Sequence, residues 1–270
     1  LIGVVLCLAT GAFIGLVIGL LVARVGIPSF VVTLAAFLGL QGILLQIIGE
    51  GGTIRISSDT VLAIMAKNLP VWLGWTLFVV IVLAYAGVTF RQMTTRRKRG
   101  LVATSTTVWL VKIVSMALLL GICTFYLSGE RSRNPALASI KGIPIVIPVV
   151  LVLLVLFTLL LNRTLFGRHV YAVGGNAEAA RRAGINVARV KISCFMMCST
   201  LAAVGGVLLA SRTNSVNPQT GGSDTLLFAV GAAVIGGTSL FGGRGRVLDG
   251  ILGAIVITVI VNGMTLQGQP

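Results

Sequence analysis

The chain has 270 residues, of which 56% are hydrophobic and only 10% charged, with 34 glycines and a mean hydropathy of +1.05. Soluble domains carry about a quarter charged residues, so this composition excludes a soluble globular protein and indicates a polytopic membrane protein. The net charge of +15 would point to nucleic acid in a soluble chain, but here the cations lie in loops between apolar runs, where membrane topology accounts for them; no nucleic-acid partner is expected.

A spanning helix needs about 20 apolar residues. Seven stretches meet that need: Leu1 to Ala23, Phe30 to Ile48, Val71 to Phe90, Val108 to Leu127, Ile143 to Leu161, Ile192 to Ala210 and Val247 to Met264. Leu1 opens directly into an apolar run without a basic segment or a cleavage site, which marks a span and not a signal peptide. Both ends read as cut, so a fragment of a longer protein is expected. The first span carries Gly11, Gly15 and Gly19, a double GxxxG that lets another helix approach closely in lipid.

The polar loop from Gly49 to Pro70 is too long for a turn, and Ser57 to Asn68 is expected to form a helix on the outer surface. Trp72 and Trp75 beside it suit the interfacial aromatic belt. The basic run Arg91 to Gly100, RQMTTRRKRG, reads as a topology signal that also attracts anionic lipid.

The longest polar interval is Asn162 to Lys191, NRTLFGRHVYAVGGNAEAARRAGINVARVK. Its Ala177 to Ala183 run has good helix-forming composition. Gly175-Asn176 fits a turn and N-cap before it, and Gly184 suits the residue just past its end. Farther on, Thr225 to Gly236 is a short apolar stretch followed by glycine-rich GGTSLFGGRGR. It is either a short span or a re-entrant half-helix packed inside protein, because lipid does not tolerate exposed backbone. After it, Gly250, Gly253 and Ala254 leave another smooth helix face.

If all eight stretches cross, the loops alternate sides. One set, which includes Arg24, the Arg91 to Arg99 run, the Asn162 to Lys191 loop, Arg244 and Arg246, holds fourteen of the 21 basic residues, and the other set holds six. The first set is therefore cytoplasmic. Lys112, within a span, lies near enough to the basic side to snorkel.

Little in the chain suggests chemistry of its own. No lysine follows a glycine, so there is no phosphate-binding P-loop, and the single histidine, His169, excludes zincin-type metal chemistry. Cys7, Cys123, Cys194 and Cys198 lie in apolar runs without CxxC spacing. No acid lies deep in a span, where a proton- or sodium-coupled carrier usually keeps one. The spans do offer neutral hydrogen-bonding groups: Thr33, Gln41, Gln46, Ser199, Thr200 and Asn262. Such groups suit a polyhydroxylated solute, and also suit bonds between helices, which are commoner.

The stretch TLFGRHVYAVGGNAEAARRAGINVARVK, Thr164 to Lys191, closely resembles the cytoplasmic coupling loop of sugar-importing ATP-binding-cassette permeases of the ribose and xylose type. AAVIGGTSLFGGRGRVLDG, in the region after Asp224, looks like a second signature of that family, and GLLVARVGIPSFVVTLAAFLGLQGI, Gly19 to Ile43, like a third. Within the family, the insertion carrying RQMTTRRKRG and the span Val108 to Leu127 look more like the xylose type than the shorter ribose type.

The resemblance implies an all-α polytopic membrane protein, about eight transmembrane or re-entrant helices being present here out of a roughly ten-helix bundle. Residues 1–270 form a single permease domain on this reading, with 162–191 as its cytoplasmic coupling loop. It implies import of D-xylose or a related pentose or hexose across the bacterial cell (inner) membrane. The partners implied are an ATP-binding subunit, an extracytoplasmic sugar-binding protein and a second permease copy, with ATP held by the partner and no cofactor in this chain. Gly174, Gly175 and Asn176 would set the start of the coupling helix. Glu178, Ala179 and Ala180 would form its contact face, with Arg181 and Arg182 in the same helix, and Gly184 its end. Thr33, Gln41, Gln46 and Asn262 are the candidates for the solute path. A stand-alone secondary sugar carrier is the alternative.

Overall fold

The computed structural model describes residues 2–49, 51–55, 68–98, 106–130 and 141–268. The expected surface helix from Ser57 to Asn68 lies, apart from Asn68, outside them. The helices are α1 (Ile2–Leu20), α2 (Ser29–Ile48), α3 (Val71–Lys98), α4 (Thr106–Ser128), α5 (Val146–Arg163), α6 (Leu165–Gly175), α7 (Ala177–Arg182), α8 (Val187–Thr213), α9 (Ser223–Ile235) and α10 (Val247–Leu266). A π-helical turn, Leu21–Val25, continues α1. Among the described residues, seven segments are long and apolar enough to cross a membrane, each overlapping one predicted stretch. The chain is an all-α multi-pass membrane protein, as its composition and the length of its apolar runs indicate.

Two compact units emerge, Leu1–Ile64 with Val149–Pro270, and Met65–Pro148. In the second, α3 and α4 pack as a pair. Trp109 Nε1 donates to Thr89 Oγ1 at 3.1 Å, and its ring lies 5.7 Å from that of Phe90. Trp72 and Trp75 stand at the start of α3, both exposed, where belt residues are expected. Lys112 on α4 is exposed too.

The first unit is organised by close backbone approach. A Cβ at Gly11 would lie 2.8 Å from Ala203 Cβ, at Gly15 2.6 Å from Phe195 O, and at Gly19 2.9 Å from Ile192 Cα. The partners descend in number as the glycines rise, so α1 and α8 run antiparallel. The double GxxxG is thus the seat of α8, and dispersion between two nearly bare backbones substitutes for the hydrophobic drive that lipid withholds.

Helices α9 and α10 form a second tight hairpin. A Cβ at Gly253 would collide with Ala232 O, and one at Gly236 with Asp249 O, whereas Gly250 meets nothing within 4 Å. Of the smooth face predicted on α10, Gly253 is used for packing and Gly250 is not. With 13 residues, α9 is about 20 Å long at 1.5 Å per residue, short of the roughly 30 Å hydrocarbon core. It reaches about two thirds of that thickness.

Sidedness follows from two contacts. Ile54 pairs with Val216 and Arg55 with Ser215 in an antiparallel two-stranded ribbon, which ties the loop after α2 to the chain leaving α8. At the other end of α8, Val187 and Val190 join Val173 and Ala180 in a buried cluster. Arg55 and Arg212 therefore fall at the end opposite to the Asn162 to Lys191 segment, the division that the count of cations gives.

Candidate functional site: a capped helical elbow and a cavity beside Gln41

The segment 162–191 is more ordered than a loop. Helix α6, which the sequence reading left as loop, opens at Thr164, whose Oγ1 accepts from Gly167 N at 3.2 Å. A Cβ at Gly167 would meet the backbone of Leu161, so the α5 to α6 corner closes tightly. Val170 and Val173 lie on one face of α6 and pack into the cluster with Ala177, Ile185 and Cys194. The signal for α6 was present as a Thr cap followed by apolar residues at helical spacing.

Helix α7 is short and closed at both ends. Asn176 Oδ1 accepts from Glu178 N at 3.0 Å and Ala179 N at 2.9 Å. Capping of this kind contributes about 1 kcal/mol, a large amount for six residues. At the other end Ile185 N donates to Ala180 O and Gly184 N to Arg181 O, both at 3.0 Å, with Gly184 at φ +83°. That is the Schellman arrangement, in which the left-handed residue favours glycine. Asn186 Oδ1 then accepts from Arg189 N at 3.0 Å and starts α8.

These caps place Asn176 and Gly184 where the sequence put them, but the structure corrects the rest in three respects. The helix ends at Arg182, with Ala183 as its C-cap. Gly175 is not a turn residue; it ends α6. Ala180, predicted on the exposed contact face, is 5% exposed and packs against Val173, Val187 and Val190. At i and i+3 from Ala177 it shares that helix's inward face, so it pins α7 to the membrane helices. The outward face is Glu178, Ala179, Arg181 and Arg182, all exposed. Glu178 pairs with Arg181 at 3.6 Å and Arg182 at 3.4 Å; pairs this solvated add little to stability and leave two cations against one anion at the tip.

The glycine-rich segment after α9 packs onto this elbow. A Cβ at Gly174 would lie 2.7 Å from Gly243 N, and one at Gly242 2.6 Å from Gly174 O. Tyr171 Oη donates to Gly245 O at 2.8 Å. Gly242 and Gly243 hold φ of +88° and +72°, so both the space and the backbone require glycine there. Gly174 therefore serves as one half of a backbone-to-backbone joint with the α9–α10 turn, in addition to preceding α7.

The four candidates for the solute path scatter. Thr33 Oγ1 donates back to Ser29 O at 2.9 Å, the usual local use of a threonine in a helix. Gln46 on α2 and Asn262 on α10 are exposed and line none of the described cavities. Gln41, likewise exposed, differs in that it borders a cavity of about 630 Å³ together with Leu38, Gly52, Thr53, Asn217 and Gln219. The residues from 217 to 222 were missed by sequence reading, although Asn217-Pro218 and Gly221-Gly222 are turn signals.

Residues 1–270 match the family of branched-chain amino acid transport system / permease components. The chain belongs to this permease family. The xylose transport system permease protein XylH of Escherichia coli K12 is 33% identical over 267 residues, 99% of this chain and 65% of that protein. The ribose import permease protein RbsC of Bacillus subtilis is 42% identical over 127 residues, 47% of this chain and 39% of its own length. The probable ABC transporter permease protein YphD of Escherichia coli K12 is 48% identical over 128 residues. The chain thus spans about 65% of the length of the xylose permeases it matches. No solved structure matches it. Seven candidate spans and bacterial permease relatives make it a multi-pass protein of the bacterial cell (inner) membrane.

Proposed function

We propose that the chain is the membrane-spanning part of an ATP-driven importer, and that it moves a monosaccharide, D-xylose or a related pentose or hexose, by alternating access. The observation that carries this reading is α7, a six-residue helix capped at both ends with a charged face turned outward, which the count of cations would put on the cytoplasmic side. A helix so rigidly held suits the transmission of force from a soluble partner. On this reading Glu178, Ala179, Arg181 and Arg182 meet an ATP-binding subunit, while Ala180 and Gly174 join α7 to the membrane helices. The chain carries no P-loop sequence, so ATP is held by that partner. An extracytoplasmic sugar-binding protein and a second permease copy complete the assembly.

The test is reversal of both cations, Arg181→Glu with Arg182→Glu, in the complete transporter reconstituted with its ATP-binding and sugar-binding partners. The expected result is loss of ATP-driven xylose uptake and of hydrolysis stimulated by the sugar-binding protein. Survival of both overturns the docking role. Uptake that persists without the ATP-binding subunit and collapses with an uncoupler would support a secondary carrier instead.

A further inference from the structure

We infer that the cavity between the outer half of α2 and the segment 217–222 is a contact site for the solute itself, with Gln41 and Gln219 as the hydrogen-bonding side chains; this rests on the importer reading above. Gln41 lies seven residues before the end of α2 at Ile48, about 10 Å along the helix axis. The non-helical segment 217–222 reaches down to it, since Pro218 borders both cavities that Gln41 borders. Irregular backbone at such depth persists only where it is buried in protein or lines a water-filled space.

The segment satisfies its own polar groups. Thr220 Oγ1 donates to Asn217 Oδ1 at 2.6 Å, and Asn217 N donates to Thr220 Oγ1 at 3.3 Å. Thr220 N donates to Asn217 O at 3.0 Å and Gly222 N to Gln219 O at 3.1 Å. The side-chain amides of Gln41 and Gln219, by contrast, make no hydrogen bond among the described residues and stand at the wall of the same space.

The chemistry of that wall selects a class of ligand. Among the described residues it includes three carboxamides, one hydroxyl and glycine backbone beside Leu38, Leu45 and Pro218, and no charged side chain. A carboxamide offers both donors and an acceptor, which matches a sugar hydroxyl that donates and accepts at once. Anionic and cationic solutes find no counter-charge there, and desolvating them would be unfavourable. A volume of about 630 Å³ falls within the roughly 300–1,000 Å³ range of small-molecule sites. The site is also mechanically placed: the segment runs into α9, whose far end leads to the glycine joint on Gly174.

The test uses the complete transporter in proteoliposomes with radiolabelled xylose. Gln41→Leu combined with Gln219→Leu is expected to lower uptake about tenfold, the loss of one or two hydrogen bonds in total, while hydrolysis stimulated by the sugar-loaded binding protein is retained. Gln46→Leu, on the same helix but off the cavity, is expected to leave uptake unchanged. Normal uptake by the double variant overturns the site. Wild-type protein that imports no aldose with ATP overturns the importer reading instead. A second arm places Gln219→Cys in a background where Cys7, Cys123, Cys194 and Cys198 are replaced by alanine. Labelling from outside by a membrane-impermeant thiol reagent, slowed at least twofold by saturating xylose, supports the site; labelling indifferent to the sugar overturns it.

Discussion

Gly174 and Gly175 are neighbours of identical chemistry for which the structure demands opposite outcomes on substitution by alanine. At Gly174 the new methyl would lie 2.7 Å from Gly243 N and 3.3 Å from Gly243 Cα, whereas ordinary contact begins at 3.4 Å. The joint must therefore open by roughly 0.7 Å. The opposing atoms are backbone, so no side-chain rotation relieves the clash, and overpacking of this kind costs about 1–3 kcal/mol. At 1.4 kcal/mol per factor of ten, that shifts the α6 to α9–α10 contact toward the open side by roughly 5- to 140-fold. At Gly175 a Cβ meets nothing within 4 Å, and alanine should be neutral or slightly favourable in a helix. The assay is sugar taken up per ATP hydrolysed by the reconstituted transporter. Gly174→Ala should lower that ratio severalfold or more with hydrolysis largely retained, and Gly175→Ala should match wild type. Equal ratios for the two variants would refute the claim that the joint carries force.

Two further substitutions probe the packing on which α7 and α8 depend. Ala180→Asp puts a carboxylate into the cluster of Val173, Val187 and Val190 and should reduce the correctly assembled fraction strongly, whereas Ala179→Asp, on the exposed face, should leave assembly intact and weaken only ATPase association. Size-exclusion profiles and pull-down by the ATP-binding subunit separate the two effects, and like profiles for both variants would count against the inward placement of Ala180. Gly15→Leu should separate α1 from α8 and lower the monodisperse yield in detergent by severalfold; Gly3→Leu, where a Cβ meets nothing within 4 Å, should not.

Spans were legible in the sequence because lipid imposes them strongly: a run of apolar residues long enough to cross has few alternatives. The caps of α7 were legible as well, since Asn176 and Gly184 act on backbone within three residues of themselves. What remained hidden was long-range. Nothing local in Tyr171 or Gly174 announces Gly245 or Gly243, some seventy positions away, and composition alone cannot tell which of Gly250 and Gly253 faces a partner. Ala180 was misplaced for a related reason. An alanine suits either face of a helix, and the valines that decide its direction belong to α6 and α8.

The shortness of α9 bears on how movement at one membrane face could reach the other. Bending or unwinding a helix in hydrocarbon exposes unsatisfied backbone groups, each costing several kcal/mol, so a displacement applied at the glycine joint is not absorbed within α9 or α10. Sliding one against the other is equally disfavoured, because Gly253 and Ala232 already meet backbone to backbone. The hairpin is then stiff against both, and the non-helical segment 217–222 joins it to α8. That segment borders Gln41, so if force enters at α7 it emerges beside the one predicted path residue that lines a cavity. A full-length α9 would have extended to the outer face and left no such irregular wall at the depth of Gln41.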